Sequence, residues 1–198
     1  MNIENTPTIE TMRLRLRKFE ERDIPFLYRI YSDVAVNTYL PWYPLKSEEE
    51  TKQFFEERYC RVYLQARGYQ YAICLKEQDE PIGYIKIDIS DAYDFGYVLL
   101  NEYQHQGIMT EAGEALLTLV KHDGVPFITA THDVHNSASG NVMKRLGMTY
   151  CYSYEEQWLP KDFPVTFRLY QINFDDQQDR VFQTYWNQSS VHFIENDV

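Results

Sequence analysis

One stretch constrains the fold of this 198-residue chain more than any other: Asp94 to Val120, DFGYVLLNEYQHQGIMTEAGEALLTLV. An apolar strand, Phe95 to Leu100, runs into a polar turn, Asn101 to Gln106, and Gly107 then opens a helix. The helix's apolar residues, Ala112, Ala115, Leu116, Leu119 and Val120, recur at spacings of three and four, so one face turns toward a core. The first N–H groups of a helix have no partner within it and stand at the positive end of its dipole, which makes them a seat for phosphate. Gly107 allows the backbone to approach such a group closely. Past this helix the turn Asp123-Gly124-Val125-Pro126 leads into an apolar strand from Phe127 to Ala130. A helical crossover between two strands demands a parallel pair.

The other segments supply antiparallel partners. Met12 to Phe19 alternates apolar and basic residues, the period-two mark of a half-exposed strand. Asp23 is placed to cap a helix that turns Ile24, Phe26, Leu27, Ile30 and Tyr31 inward. An aromatic, proline-bounded loop, Leu40 to Pro44, separates it from a second helix starting at Ser47, with Glu50 completing a capping box. Tyr69 to Leu75 and Pro81 to Ile89 read as a hairpin around Lys76 to Glu80. Asn136 to Ser139 opens a further helix, carrying Val142, Met143 and Leu146, that Gly147 ends. Met148 to Tyr154 and Thr166 to Phe174 are the last strands, with Glu155 to Val165 between them. The expected fold is α/β (α+β): a mixed, mostly antiparallel sheet of about seven strands with helices on both faces. Residues 1–174 form one domain behind a loose leader, residues 1–10. Residues 175–198 carry Val181, Phe182, Tyr185 and Trp186 at helical spacing and read as a C-terminal extension packing on the domain or on a homodimer partner.

Charge and cysteine usage exclude several classes. A net charge of −11 makes duplex nucleic acid a poor partner. Cys60, Cys74 and Cys151 are widely spaced with no CxxC pair, so neither a disulfide framework nor a cysteine zinc site is indicated. MNIENTPTIE lacks a basic region followed by an apolar run, and no window approaches a membrane span, so a reduced, cytoplasmic protein without a membrane partner is expected. His132-Asp133-x-His135 has no third ligand at a diagnostic spacing, and no metal is expected.

In this order and context the motifs resemble the GNAT superfamily of acetyl-CoA-dependent N-acyltransferases, and within it the RimJ/RimL-type branch. The resemblance runs from Met12-Arg13-Leu14-Arg15-Leu16-Arg17, followed by Asp23, to Phe174. Gln104-His105-Gln106-Gly107-Ile108-Met109 is similar to the family's pyrophosphate loop, Q/R-x-x-G-x-G/A, with Met109 departing from the small last residue. Thr110-Glu111-Ala112 continues it, and Asn136-x-x-Ser139 ahead of Leu146-Gly147-Met148 is similar to a second signature.

The resemblance implies acetyl-CoA as cofactor, contacted by Leu99, Leu100, Gln104, His105, Gln106, Gly107, Ile108, Met109, Thr110, Asn136 and Ser139. The Met109 side chain must then point away from the phosphates. Asn136 can cap its helix, and by the resemblance it also holds the pantetheine arm. Asp94 stands where the family places a carboxylate base, more often Glu, with Glu155 and Glu156 as alternatives. A backbone N–H near Leu99, freed by a bulge, would serve the oxyanion. Ser139 would serve the leaving thiolate, because the position where many members carry a tyrosine is Met143. Trp42, Tyr43 and Trp158 would wall the acceptor cleft. The implied reaction is acetyl transfer to a primary amine, on a protein N-terminus or a small molecule, by direct attack in a ternary complex. The alternative is a non-catalytic acyl-CoA-binding or scaffold protein that kept the fold.

Overall fold

The structure, a computed structural model, describes residues 4–198. Five strands form one antiparallel sheet in chain order: β1 (Ile9–Glu10), β2 (Leu14–Arg17), β3 (Tyr69–Leu75), β4 (Pro81–Ile87) and β5 (Phe95–Leu99). A second antiparallel sheet has the order β6-β8-β7-β9, from β6 (Phe127–Asp133), β7 (Thr149–Trp158), β8 (Phe163–Asn173) and β9 (His192–Phe193). The helices are α1 (Ile24–Ser32), α2 (Glu48–Phe55), α3 (Arg61–Tyr63), α4 (Ile108–His122), α5 (Ser137–Arg145) and α6 (Thr184–Gln188). A π-helical turn, Glu56–Cys60, joins α2 to α3 without a break.

The parallel pair demanded by the α4 crossover shrinks to a single bridge, Asp94 with Thr129. There the Thr129 N–H donates to the Tyr93 carbonyl at 3.3 Å and Thr129 Oγ1 to the Ala92 carbonyl at 2.8 Å. Past it no ladder joins β5 to β6, and the expected mixed sheet becomes two sheets hinged at one point. That split is what opens a cleft at the end of β5.

Strand alternation sorts the core onto two faces. Phe95 and Leu99 of β5 pack with Ile108, Ala112, Leu116 and Val120 of α4 and with Ile128 and Ala130 of β6. Val98 and the following Leu100 turn the other way, onto Leu27 and Ile30 of α1, Phe55 of α2 and Tyr84 of β4. A third cluster, Tyr152, Tyr154, Val165, Phe167 and Leu169, is covered by Phe182, Tyr185 and Trp186.

Several expectations need correction. The stretch expected as a loose leader is tied down in its described part. Ile9 pairs with Leu16, and the Asn5 amide donates to the carbonyls of Val62 and Gln65; Met1 to Ile3 lie outside the described residues. Asp23 does not cap α1. Buried, it binds both terminal nitrogens of Arg17, at 2.6 and 3.0 Å, and accepts the Glu20 N–H, because a buried guanidinium needs a charge partner more than a helix needs a cap. The residues between the last two long strands are mostly strand, since β7 and β8 extend to a tight turn near Trp158 and Phe163. In the extension, Val181 and Phe182 precede a helix of only five residues.

Candidate active site

A cleft of about 740 Å³ lies where the sheets part, bounded by the end of β5, the start of α4, one side of α5 and the segment after α1. It brings together Leu99, Gln104, His105, Gly107, Ile108, Met109 and Thr110 with Asn136 and Ser139, and adds Tyr97, Asn141 and Arg145. The turn into α4 takes left-handed backbone twice, at His105 (φ 60°) and Gly107 (φ 74°). Such alternation curls successive amides around a common point, a concavity suited to anions. A Cβ on Gly107 would meet only Arg13 Nη2, at 3.7 Å, so backbone angle rather than crowding requires the glycine. The Glu111 N–H bonds back to the Gly107 carbonyl, whereas the amides of Ile108, Met109 and Thr110 have no backbone partner among the described residues.

The loop's side chains brace it. Gln104 Nε2 donates to the Leu99 carbonyl and to Asn101 Oδ1, and Gln106 Nε2 donates to the Glu102 carbonyl. Arg13 pairs with Glu111 at 2.7 Å and donates from Nη1 to the Gln106 carbonyl. Met109 is 7% exposed and packs in the main core, so its side chain points away from the open amides. Three free amides, an uncrowded glycine and the cation of Arg145 fit a diphosphate-bearing ligand such as CoA.

β5 supplies the next element. The Leu100 N–H donates to the Ile82 carbonyl and the Asp88 N–H to the Asp94 carbonyl, both at 3.0 Å. The register between them is unbroken, from Gly83 with Leu99 to Ile87 with Phe95. In an antiparallel ladder this parity turns the N–H groups of Tyr97 and Leu99 away from β4, toward the open side. The bulge expected near Leu99 is absent; a regular strand at the end of its sheet exposes the same group.

Across the cleft, Asn136 Oδ1 accepts the Ser139 N–H at 3.2 Å, so Asn136 does cap α5. Its Nδ2 donates to nothing among the described residues and borders the cleft. Tyr97 reaches over from β5, its hydroxyl 2.8 Å from the Ser139 carbonyl and 2.9 Å from Ser139 Oγ. Burial holds the Tyr97 phenol well above its usual range, so it stays protonated. Met143 is buried in the core. Sequence reasoning passed over Tyr97, which looked like one more inward strand residue. It also missed Arg145, whose place in the last turn of α5 looked like a solvated helix surface.

Asp94 lies on the other side of β5. It pairs with Thr129 and alternates with the inward Phe95, so it faces with Gly96 and Val98 rather than with Tyr97. Lys86, opposite Gly96, lays its stem across that glycine, where a Cβ would come within 2.9 Å of Cε; its ammonium pairs with Asp88. The Asp94 carboxylate has no hydrogen-bond partner among the described residues. Although the residue keeps some exposed surface, enclosure by its neighbours pushes the carboxyl up to about 6, with Lys86 opposing and Asp88 adding to the shift.

Glu156 of β7, opposite Val165 of β8, shares the face of Tyr154, and partial burial of its carboxyl raises it too. Glu155 points to the other face of β7; both residues are exposed. The expected acceptor residues flank this side without lining the cleft. Trp42 donates to Asn37 Oδ1 and lies 4.6 Å beneath the Arg58 guanidinium. Tyr43 reaches the Pro160 carbonyl at 3.4 Å, and Trp158 packs on Phe163 and Phe167. Lys161 donates to the Asn37 carbonyl at 3.0 Å, completing an arch between the α1–α2 segment and the β7–β8 turn. His132 and His135 each direct Nδ1 to Asp133. Among the described residues no helix is long and apolar enough to cross a membrane.

A family model described as an acetyltransferase (GNAT) domain matches residues 13–149. An uncharacterized N-acetyltransferase of Bacillus subtilis strain 168, YnaD, is 31% identical over 144 residues, 71% of this chain and 81% of that protein. Among solved structures, an acetyltransferase of the GNAT family from Bacillus anthracis aligns with a TM-score of 0.72 at 24% identity, over 85% of this chain and 99% of that one. RimL, a ribosomal L7/L12 alpha-N-protein acetyltransferase in complex with coenzyme A, aligns with a TM-score of 0.72 at 24% identity, over 84% of this chain and 98% of that one. Both share this fold.

Proposed function

The chain belongs to the GNAT acetyltransferase family, and on that premise we propose that it transfers acetyl from acetyl-CoA to a primary amine by direct attack in a ternary complex. The observation that carries this reading is the two-sidedness of β5: an open phosphate seat and free strand amides on one side, an unpaired carboxylate on the other. Acetyl-CoA, when bound, supplies the activated acyl group. The amides of Ile108, Met109 and Thr110 hold its diphosphate with Arg145, and Asn136 Nδ2 pairs with the pantetheine arm while Oδ1 keeps its cap. The Leu99 N–H is oriented toward charge developing on the acyl oxygen. Ser139, held in place by the Tyr97 hydroxyl, presents its own O–H to the departing thiolate, where a hydrogen bond suffices.

Asp94 takes the proton of the acceptor ammonium. A carboxyl near 6 is mostly ionised at neutral pH yet more basic than an ordinary aspartate, which suits a general base. Glu156, on the Tyr154 face of β7, is the second candidate. Residues 1–174 act as the catalytic unit, and the arch of Trp42, Tyr43 and Trp158 bounds the acceptor entrance. RimL's action at a ribosomal-protein N-terminus supports a peptide amine as one acceptor class, with small amines as the other. Three free cysteines suit a reducing compartment such as the cytoplasm. The test is CoA-thiol release with N-terminal peptides and alkyl amines in turn. Turnover of one class supports the proposal; tight CoA binding with no turnover across both would return the chain to a binding role.

A further inference from the structure

The first turn of α5 is held from both sheets. From β5 the Tyr97 hydroxyl bonds to Ser139, and from β6 the His132 ring meets the next residue, Gly140. His132 is 4% exposed, and its Nδ1 lies 2.7 Å from the Asp133 carbonyl. A carbonyl only accepts, so Nδ1 carries the proton. Burial holds the imidazole below its usual pKa, so it stays neutral. Nε2 is then a bare lone pair, buried and without a hydrogen-bond partner among the described residues.

That bare edge points at α5. A Cβ on Gly140 would come within 2.6 Å of Nε2 and 2.9 Å of Cε1. The ring has little room to swing aside, because the Asp133 bond fixes it and Tyr170 flanks it at 5.5 Å. Glycine is a poor choice inside a helix, and this close approach accounts for it. An unpaired buried nitrogen also costs stability, so an apolar residue would serve the core better. At the far end of the helix Leu146 lies on Gly113 of α4, where a Cβ would come within 2.7 Å of Cδ1. Each end of α5 is thus seated through a glycine.

We infer that His132 is a positioning residue for Ser139: its anchored ring, set against the bare Cα of Gly140, fixes how deep the first turn of α5 sits and so where the Ser139 hydroxyl stands. The inference rests on the reading of Ser139 as the partner of the thiolate. A side chain at position 140 lifts the turn off β6, and loss of the ring lets it sink; either change draws Ser139 out of line with Tyr97 and the thiol.

The test needs no acceptor. The thiol of bound CoA is titrated by its ultraviolet thiolate absorbance, with the desulfo-CoA complex as the blank. A hydrogen bond to the thiolate lowers the thiol pKa, so S139A is expected to raise the midpoint by about one unit. G140A should raise it as far, and S139A/G140A no further than S139A alone. G140A/H132A, in which the added methyl takes the space of the ring, should lie closer to wild type than G140A does. An unmoved G140A, or shifts that add in S139A/G140A or in G140A/H132A, would overturn the inference. If G140A does not fold, H132A carries the same comparison, raising the midpoint in the wild-type background and not in S139A. S139A separates the two levels: an unmoved S139A removes the thiolate reading of Ser139, while a shifted S139A beside unmoved G140A and H132A removes only the role of His132.

Discussion

The proposed donor side of β5 is made mostly of main chain, and the proposed acceptor side almost wholly of side chains. On the donor side the recognition groups are amides at the start of α4 and at Leu99, oriented by two left-handed residues and by ladder parity. On the acceptor side they are Asp94 at the start of β5, Lys86 of β4 and Glu156 of β7, drawn from three strands. Main-chain sites tolerate wide sequence variation, because any residue with the right backbone angle supplies an N–H. Met109 illustrates this: a bulky residue in the loop costs the seat nothing visible, since its side chain enters the core. Side-chain sites have no such tolerance, so acceptor choice can change with few substitutions while the donor stays the same.

That contrast can be broken experimentally, with the largest effect at the base. Asp94→Asn should lower kcat/KM by about two to three orders of magnitude in steady-state assays while leaving the CoA Kd unaltered. A matching loss of CoA affinity would mean that the two sides are not separate. Gly107→Val places a β-branched residue at φ 74° and should weaken CoA binding by about ten- to a hundredfold in calorimetry, with kcat at saturating donor largely kept. Unchanged affinity would remove the phosphate seat from this loop.

Stability gives a smaller effect. The Asp94 carboxyl is raised in the folded protein, to about 6 from 3.8, so its proton affinity favours folding below pH 4 and that contribution disappears as pH rises through 6. Above pH 7 the buried carboxylate is a liability of roughly 1–3 kcal/mol. Asp94→Asn should therefore raise the melting temperature at pH 8 and not at pH 4, and the reverse order would contradict the enclosed carboxylate. Smallest is Arg145→Ala, expected to weaken CoA binding about fivefold, and less at high salt. A loss independent of salt would assign Arg145 a packing role instead.

The same contrast explains what the sequence made legible. Gln104 to Thr110 is contiguous, and strand, turn, glycine and helix each carry local signals, so the turn and helix start proposed as the phosphate seat were legible in the sequence. The helix start at Asn136 and Ser139 was legible likewise, with Asn136 as its cap. Tyr97 was not, because its partner is 42 positions away on α5 and an inward tyrosine resembles core. The open Leu99 N–H came through ladder parity, which depends on where β4 and β5 pair rather than on any residue type. The two-residue β1 had no period to show, and the split of the sheet into two hangs on one bridge, Asp94 with Thr129, that no local pattern announces. Glu155 and Glu156 were indistinguishable until the register put only Glu156 on the Tyr154 face of β7.

A crystal structure of the CoA complex tests the two-sidedness of β5 most directly. The diphosphate is expected within hydrogen-bond reach of the Ile108, Met109 and Thr110 amides, with the thiol beside Leu99 and Asp94 reached only from the opposite side of the strand. A thiol lodged on the Asp94 side, or a diphosphate held away from the start of α4, would contradict it.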